Sequence, residues 1–317
     1  MMGMRLVRNG LAMVCGLLAS GGVQGGSFTT VEVPGATSTT VDGVNERGGS
    51  VGTYAVGMSS RGFVRRADGA ITTFDVAGSL STYARGINDG GTVVGHYDSG
   101  LGTGGYTRGV DGTIATFVVP GAAATFGADV NNLGQIVGTY SIGGVFDFHG
   151  FIRAADGNFS TFDVPGASWT YAEGINDQGQ VSGFYFDGMA FHGYLRASDG
   201  SFTSFDVPQS MSTFGGGLNN AGSSVGYSVV SIFTSSGFVS IATGLVRNPD
   251  GTMTSVVVPG SASTYVAGIN DRGQIVGNYV VNGVARGFIT AVPEPGGGTL
   301  LATGVLGLLM VKRRRRS

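Results

Sequence analysis

The chain has 317 residues, 42% of them apolar and 10% aromatic, so it can bury a sizeable core and is not a disordered tail. Its 60 glycines follow no three-residue period, which excludes collagen. Residues 27–290 carry 19 acidic side chains against 11 arginines, with no lysine, a balance of −8 that argues against nucleic-acid binding.

Residues 1–25 have the three parts of a secretory signal peptide. Arg5 and Arg8 precede an apolar stretch at residues 11–19, and small or polar residues follow it. A short buried helix is the alternative interpretation, but the glycines after residue 20 would break it. The only cysteine, Cys15, lies in this segment, so the mature chain would have neither a disulfide nor a cysteine metal site.

Residues 27–290 contain a unit that recurs about every 43 residues. One block has the form apolar-Asn-acid/amide-x-Gly, and a second block has Asp-Gly between alternating apolar residues, as in residues 149–166. Both blocks predict tight hairpin turns, so each unit should hold four short antiparallel strands. The asparagines that mark the six units are Asn45, Asn88, Asn131, Asn176, Asn219 and Asn270.

Six such units predict an all-β fold, a six-bladed β-propeller of four-stranded repeats. The sixth unit ends at Thr290 without its fourth strand, and residues 28–33 repeat that missing strand. We therefore expect the N-terminal strand to complete the last blade, which removes two exposed sheet edges. A β-solenoid, which needs dissimilar caps, is the alternative. An insertion at residues 229–240 should lengthen one hairpin.

The C-terminal segment, residues 291–317, has three ordered features. Residues 296–311 are apolar, close to the length that spans a bilayer, and positive residues after such a span stay on the cytoplasmic side. The motif before the span is Val292, Pro293, Glu294 and Pro295, and the cations after it are Lys312, Arg313, Arg314, Arg315 and Arg316.

This order of features resembles the PEP-CTERM sorting signal of Gram-negative bacteria. The resemblance implies recognition by an exosortase-type membrane protease and cleavage near Pro295. It also implies that the C-terminal helix holds the chain in the membrane until processing, after which the body reaches the cell surface or an exopolysaccharide matrix. A plain C-terminal anchor is the alternative, and it gives the body the same location.

The repeated unit resembles the HAF family of extracellular repeats over residues 28–290. The segments that carry the resemblance best are residues 149–151, His-Gly-Phe, and residues 192–194, His-Gly-Tyr. Arginine or glycine replaces the histidine in the other units, at Arg61, Gly105, Gly244 and Arg286. The family implies no chemistry that can be transferred.

We predict no catalytic residue, no cofactor and no metal site from the sequence. A metal site built from His96, His149 and His192 would need different strand types to converge. Calcium at Asp89, Asp177 and Asp271 would find one carboxylate in each turn, too few for six to eight oxygen ligands. The acids that break the repeat, Asp98, Glu173 and Asp187, are candidates for hydrolysis only if the fold brings two of them together.

Trp169, the only tryptophan, is a predicted ligand contact because aromatic rings can lie on the C–H faces of sugars. Packing in the core is the alternative role for this residue. The function predicted is that of a non-catalytic exported cell-surface or matrix protein, which binds exopolysaccharide or surface proteins or serves as a scaffold. A propeller-fold glycoside hydrolase or lyase that acts on exported polysaccharide is the alternative, and a structural coat component is a third.

Overall fold

The computed structural model describes residues 27–143, 147–234 and 237–290, and in these ranges it contains 24 β-strands and no helix. No helix of the described ranges is therefore long and apolar enough to cross a membrane. The predicted signal peptide and the predicted sorting signal lie outside the described residues, and both stay predictions.

The strands form six units, each a meander of four antiparallel strands. Strand β1 is Phe28–Val31. Unit 1 contains β2 Ser38–Val44, β3 Ser50–Val56, β4 Ser59–Arg65 and β5 Ile71–Phe74. Unit 2 contains β6 Ser81–Ile87, β7 Val93–Asp98, β8 Thr103–Arg108 and β9 Ile114–Phe117. Unit 3 contains β10 Ala124–Val130, β11 Ile136–Ser141, β12 Phe148–Arg153 and β13 Phe159–Phe162.

The second half of the chain repeats this pattern. Unit 4 contains β14 Trp169–Ile175, β15 Val181–Phe186, β16 Phe191–Arg196 and β17 Phe202–Phe205. Unit 5 contains β18 Ser212–Leu218, β19 Ser224–Thr234, β20 Gly237–Arg247 and β21 Met253–Val256. Unit 6 contains β22 Ser263–Ile269, β23 Ile275–Val281 and β24 Val284–Thr290, together with β1. The insertion lengthens the β19–β20 hairpin to 11 residues in each strand, as predicted.

The Asp-Gly hairpins form for the reason that the sequence suggested. In the turn between β12 and β13, Gly157 has a φ of +95°, a conformation that L-residues with a side chain rarely adopt. The carboxylate of Asp156 accepts a hydrogen bond from the backbone N–H of Asn158 at 3.0 Å. Local chemistry thus fixes the turn before the sheet packs.

The six units close into a ring. The first strands contact one another in an unbroken circuit, from β2 through β6, β10, β14, β18 and β22 back to β2, so they are the innermost strands. As predicted, β1 completes unit 6 by pairing antiparallel with β24, with Phe28 opposite Thr290 and Val31 opposite Gly287. The result is an all-β propeller whose first and last described strands pair in one sheet.

The prediction of six separate blades needs a correction. Units 1, 4, 5 and 6 each form a separate four-stranded sheet, but the strands of units 2 and 3 belong to one eight-stranded sheet. A single parallel bridge between Thr103 and Ala124 joins them. The reason is that the start of β8 lies beside the start of β10, where a Cβ added to Gly102 would be in ordinary van der Waals contact, at 3.5 Å, with the carbonyl oxygen of Ala123.

The core lies between the facing sheets of neighbouring units. In one cluster, Val31, Val41, Phe63 and Ile289 join unit 6 to unit 1. The third strand of each unit contributes a large apolar residue that is 3% exposed or less, and burying each of them stabilises the fold by about 2–3 kcal/mol. These residues are Phe63, Tyr106, Phe151, Tyr194, Leu245 and Phe288.

Candidate functional site

The innermost strand of each unit carries a β-bulge at the same place. The register between the first and second strands shifts there, which leaves at least one extra residue that has no partner across the ladder. Bulges re-aim side chains, and here they act on the strands closest to the ring axis. The extra residues are Asp42, Arg85, Ala128, Glu173, the pair Gly216 and Gly217, and Ala267.

Three of these bulge residues are charged and form one cluster, the axial triad of Asp42, Arg85 and Glu173. One guanidinium nitrogen of Arg85 lies 3.4 Å from Asp42 Oδ1, and another lies 3.3 Å from Glu173 Oε2. Unit 1 is next to unit 2, but unit 4 is two units away, so the Arg85 side chain crosses the centre of the ring. The Asp42 side chain is 9% exposed and the Glu173 side chain 21%.

The triad is electrostatically unbalanced because two carboxylates share one guanidinium. Burial raises the pKa of Asp42 and of Glu173, and Arg85 only partly offsets this effect. Burial acts to lower the pKa of Arg85, but the two carboxylates outweigh it and the net shift is upward. Arg85 therefore stays charged, and the fully ionised triad carries a net charge of −1.

Half-buried aromatic rings, which we call the aromatic collar, lie next to the triad in units 2 to 5 and at the start of unit 6. Neighbouring ring centroids are 4.6–6.4 Å apart. The contacts continue from each unit to the next, which packs the rings into one surface. In order around the ring, the collar comprises Tyr83, His96, Phe126, Phe148, Tyr171, Phe184, Phe214, Tyr227 and Tyr265.

The collar and the triad share one electrostatic environment. Burial, with a further contribution from Glu173, raises the pKa of Tyr171 and of Tyr227 to about 12. Tyr227 also interacts with Arg85, although the two residues belong to units 5 and 2. Burial, aided by the charge of Arg85, lowers the pKa of His96 to about 3. All three of these collar side chains are neutral at pH 7.

The opposite end of the axis is closed by a circuit of asparagines. The side-chain Nδ2 of each repeat asparagine donates to the backbone carbonyl of the asparagine in the next unit, at 3.0–3.2 Å. The last of these bonds runs from Asn270 back to Asn45, so the circuit is complete. This circuit lies at the end of the axis nearest Thr290, because Thr290 bonds to Gln274 and Ile275 beside the Asn270 turn.

A second circuit explains the acids that suggested calcium. At each of the six turns, the residue after the asparagine has its backbone N–H bonded to the side-chain oxygen of its counterpart in the next unit. The acidic turn residues Asp89, Asp177 and Asp271 are used in this way. Within the described ranges, no group of three or more His, Cys, Asp or Glu side chains could hold a metal ion.

The other residues singled out from the sequence lie apart. Asp98 accepts a bond from Gly100 N–H at 2.8 Å in its own loop, and Asp187 lies 3.2 Å from His192 Nε2. Of the three acids that break the repeat, only Glu173 reaches the axis. Trp169 stacks on Phe186 with centroids 4.4 Å apart, and its role as a ligand contact stays a prediction.

Unlike His96, which belongs to the collar, the other two histidines form ion pairs with acids. His149 pairs with Asp163 and His192 with Asp206 on the ring surface, at 3.0 and 2.9 Å. Arg61 pairs with Asp75, and Arg286 with Glu32, at the same repeat position. In the other two units the strand register corrects the sequence alignment by one residue: the cation position holds Gly104 and Thr243 rather than Gly105 and Gly244, and the acid position holds Val118 and Val257. The cation and the acid are thus either both present or both absent in a unit, and this pattern in the sequence could have predicted the pairs.

Asp42 and Arg85 were not among the residues predicted from the sequence. The sequence does mark their position: the residue three places before each repeat asparagine varies strongly, while the residues around it repeat. That position is an acid, an arginine or a small residue. Variation inside a strict repeat marks the surface on which the units differ, which is where a specific site can form.

Asp129 occupies a repeat position that glycine holds elsewhere, as Gly86 and Gly174 do. Its two carboxylate oxygens accept bonds from Val130 N–H at 2.9 Å and from Ile175 N–H of unit 4 at 3.1 Å. Burial raises the pKa of Asp129 to about 7, although both bonds oppose the shift. The folded state thus holds a proton more tightly than the unfolded chain does.

We therefore expect the protein to lose stability as the pH rises from 5 to 8. Between its unfolded and folded pKa values, Asp129 binds more protons in the folded state, so deprotonation costs about 2 kcal/mol of unfolding free energy over this range. Urea unfolding at both pH values measures the loss. Asp129→Asn should reduce this pH dependence, and Asp111→Asn, at an exposed carboxyl whose pKa is lowered by Thr113, should leave it unchanged. Equal slopes for Asp129→Asn and the native chain would contradict the assignment.

These features define the class of the protein, a β-propeller with a charged and aromatic site on its axis. No family model matches the chain, and no curated protein matches its sequence. A proposed gluconolactonase of solved structure is 14% identical and has a TM-score of 0.52, with 86% of this chain and 94% of that chain covered.

Two further solved structures are similar. A gluconolactonase from Xanthomonas campestris has a TM-score of 0.50 at 13% identity and covers 84% of this chain and 90% of its own. TolB from Acinetobacter baumannii has a TM-score of 0.50 at 13% identity and covers 73% of this chain and 60% of its own. At these identities, the likeness shows the fold alone.

Proposed function

We propose that this chain is a non-catalytic exported binding protein of the cell surface or exopolysaccharide matrix, and that it binds its partner through the aromatic collar. The observation that carries the proposal is the collar itself, a continuous half-buried aromatic surface beside a charged group. Soluble proteins expose few large contiguous apolar surfaces, and partly exposed aromatic clusters are typical of recognition surfaces.

The six units act in this proposal as six blades that surround one binding site. The closed asparagine circuit and the closed contact circuit of the first strands support this count. The hairpins between the second and third strands surround the collar end with exposed apolar residues, and Met58 and Leu101 have almost no contact with the ring. The other members of this rim are Ile142, Met189, Phe238 and Val284.

The export part of the proposal rests on the two ends of the sequence. A signal peptide at residues 1–25 and a PEP-CTERM signal at 291–317 would send the body out of the cell, with an exosortase-type protease as the processing partner. The described chain ends at Thr290, on the side of the asparagine circuit. A C-terminal tether would leave from that side, so the collar would face away from the membrane.

The proposal is tested by binding of the full chain, in detergent micelles, to an array of bacterial polysaccharides and surface proteins. Tyr171→Ala should weaken the binding about tenfold, because each aromatic contact with a ligand is worth about 1 kcal/mol or more. Tyr185→Ala is the matched control, since Tyr185 lies outside the collar and stacks on His192. Absence of binding, or equal binding by both variants, would refute the proposal.

A polysaccharide hydrolase or lyase is the second candidate function. Similarity to gluconolactonases favours an enzyme, but only through the fold. Arg85 lies between the two axial carboxylates, whereas two-carboxylate hydrolysis needs the scissile bond of the substrate between them. The measurement is the release of reducing or unsaturated ends from exported polysaccharide. Turnover that Glu173→Gln abolishes would establish the enzyme and end the binding proposal.

A further inference from the structure

We propose that the axial site binds its ligand through an ammonium group, held between Glu173 and the rings of Tyr171, Phe214 and Tyr227. This inference rests on the collar being the binding surface and adds the chemical class of the ligand. The class follows from three features of the site: its charge, its rings and the uncharged, partly exposed side of the triad.

The charge of the site favours a cation. The ionised triad has two carboxylates and one guanidinium, and His96 adds no positive charge because its pKa is about 3. Each guanidinium contact is 3.3–3.4 Å long, which is outside the 2.7–2.9 Å of a short charge-assisted bond. Glu173 therefore keeps the capacity to accept bonds from a ligand.

The rings of units 4 and 5 provide the second feature. Tyr171 stacks on Phe184 at 4.6 Å, Phe214 stacks on Tyr227 at 4.7 Å, and Tyr227 meets Tyr265 edge to face at 4.9 Å. The faces of aromatic rings carry negative potential and attract cations within about 6 Å of the centroid. Tyr171 and Glu173 are two residues apart on β14, so this ring and the carboxylate lie close together.

The third feature is the uneven distribution of charge around the axis. The charged bulge residues come from units 1, 2 and 4, whereas units 5 and 6, where Tyr227 and Tyr265 lie, contribute Gly216, Gly217 and Ala267. These residues place no further charge beside Glu173, and the Glu173 side chain is 21% exposed, so a ligand can reach its carboxylate from solvent. An ammonium group placed there would contact the carboxylate and the ring faces together.

The test compares choline with 3,3-dimethylbutan-1-ol, a neutral molecule of the same shape, by calorimetric titration of the full chain in micelles. Choline should bind at least about tenfold more tightly than the neutral molecule. Its affinity should rise with pH, because the cation favours the ionised carboxylates, whose pKa values burial raises. Choline itself does not titrate in this range.

Two glutamate variants separate the site from the rest of the surface. Glu173→Gln should weaken choline about tenfold, and Glu32→Gln, at an exposed ion pair with Arg286 outside the axis, should not change it. Tyr227→Leu should weaken choline while a thermal melt shows the ring folded. Equal binding of choline and the neutral alcohol, or no effect of Glu173→Gln, would overturn the inference.

The outcomes also separate this inference from the proposed function. Polymer or surface-protein binding that depends on Tyr171, without any binding of choline, would overturn the ammonium assignment and keep the binding proposal. Choline binding that depends on Glu173, without any polymer or protein partner, would keep the ammonium assignment and refute the binding proposal.

Discussion

Replacing Gly183 with alanine should destabilise the protein by about 3 kcal/mol or more. Gly183 lies in β15, opposite the bulge of β14, where the bulge brings the two backbones together. A Cβ added to Gly183 would lie 2.0 Å from the carbonyl oxygen of Tyr171, so the backbone of the innermost strand would have to move. The movement would displace Tyr171 and Glu173, and ligand binding should fall with stability.

Urea unfolding measures the loss of stability, with Gly90→Ala as the control. Gly90 lies in an exposed turn without a positive φ, and its added Cβ would meet nothing closer than an asparagine side-chain oxygen at 3.3 Å. That substitution should change the unfolding free energy by less than about 1 kcal/mol. Similar losses for the two variants would show that the bulge does not impose the close approach.

Replacing Asn176 with alanine should cost about 3 kcal/mol of unfolding free energy. Asn176 is buried, donates to the Asn219 carbonyl at 3.2 Å and accepts from the Gln180 N–H at 3.0 Å. Alanine would remove both bonds and the bond from Asn176 Nδ2 to Gln180 Oε1, each worth about 1 kcal/mol, while the Asn219 carbonyl would keep its bond from Gly222 N–H. It would also open the asparagine circuit between units 4 and 5.

Gln178→Ala is the control for Asn176, because Gln178 is exposed in the same turn. We expect it to change the unfolding free energy by no more than about 0.5 kcal/mol. Thermal and urea unfolding would both report the difference. If Asn176→Ala lost as little as the control, the circuit would not contribute to closure of the ring.

The strands and the ring seam could be predicted from the sequence because they follow from local chemistry repeated six times. Asp156-Gly157 specifies a hairpin wherever it stands between alternating apolar residues, and the orphan strand at Phe28 matches the gap after Thr290. The bridge that joins units 2 and 3 could not be predicted. It depends on how the start of β8 lies against the start of β10 in the folded ring, which no pattern of residue types records.

The candidate site shows the same division. Glu173 was recognisable as an acid that breaks the repeat, but nothing in the sequence placed it 3.3 Å from Arg85, a residue 88 positions earlier in the chain. Trp169 attracted attention as the only tryptophan, while the tyrosines and phenylalanines of the collar looked like ordinary strand residues. Their common surface exists only once the strands surround an axis.

The sequence by itself predicted the export signals at its two ends. It also determined the repeated four-stranded unit, the turns and the partner of the first strand, because each of these depends on neighbouring residues or on similarity between units. Only the tertiary structure decided which side chains meet on the axis. That outcome depends on the bulge in each innermost strand and on ring closure, which bring Asp42, Arg85 and Glu173 together from three different units. Contacts across a ring depend on its geometry, and a local pattern cannot specify them.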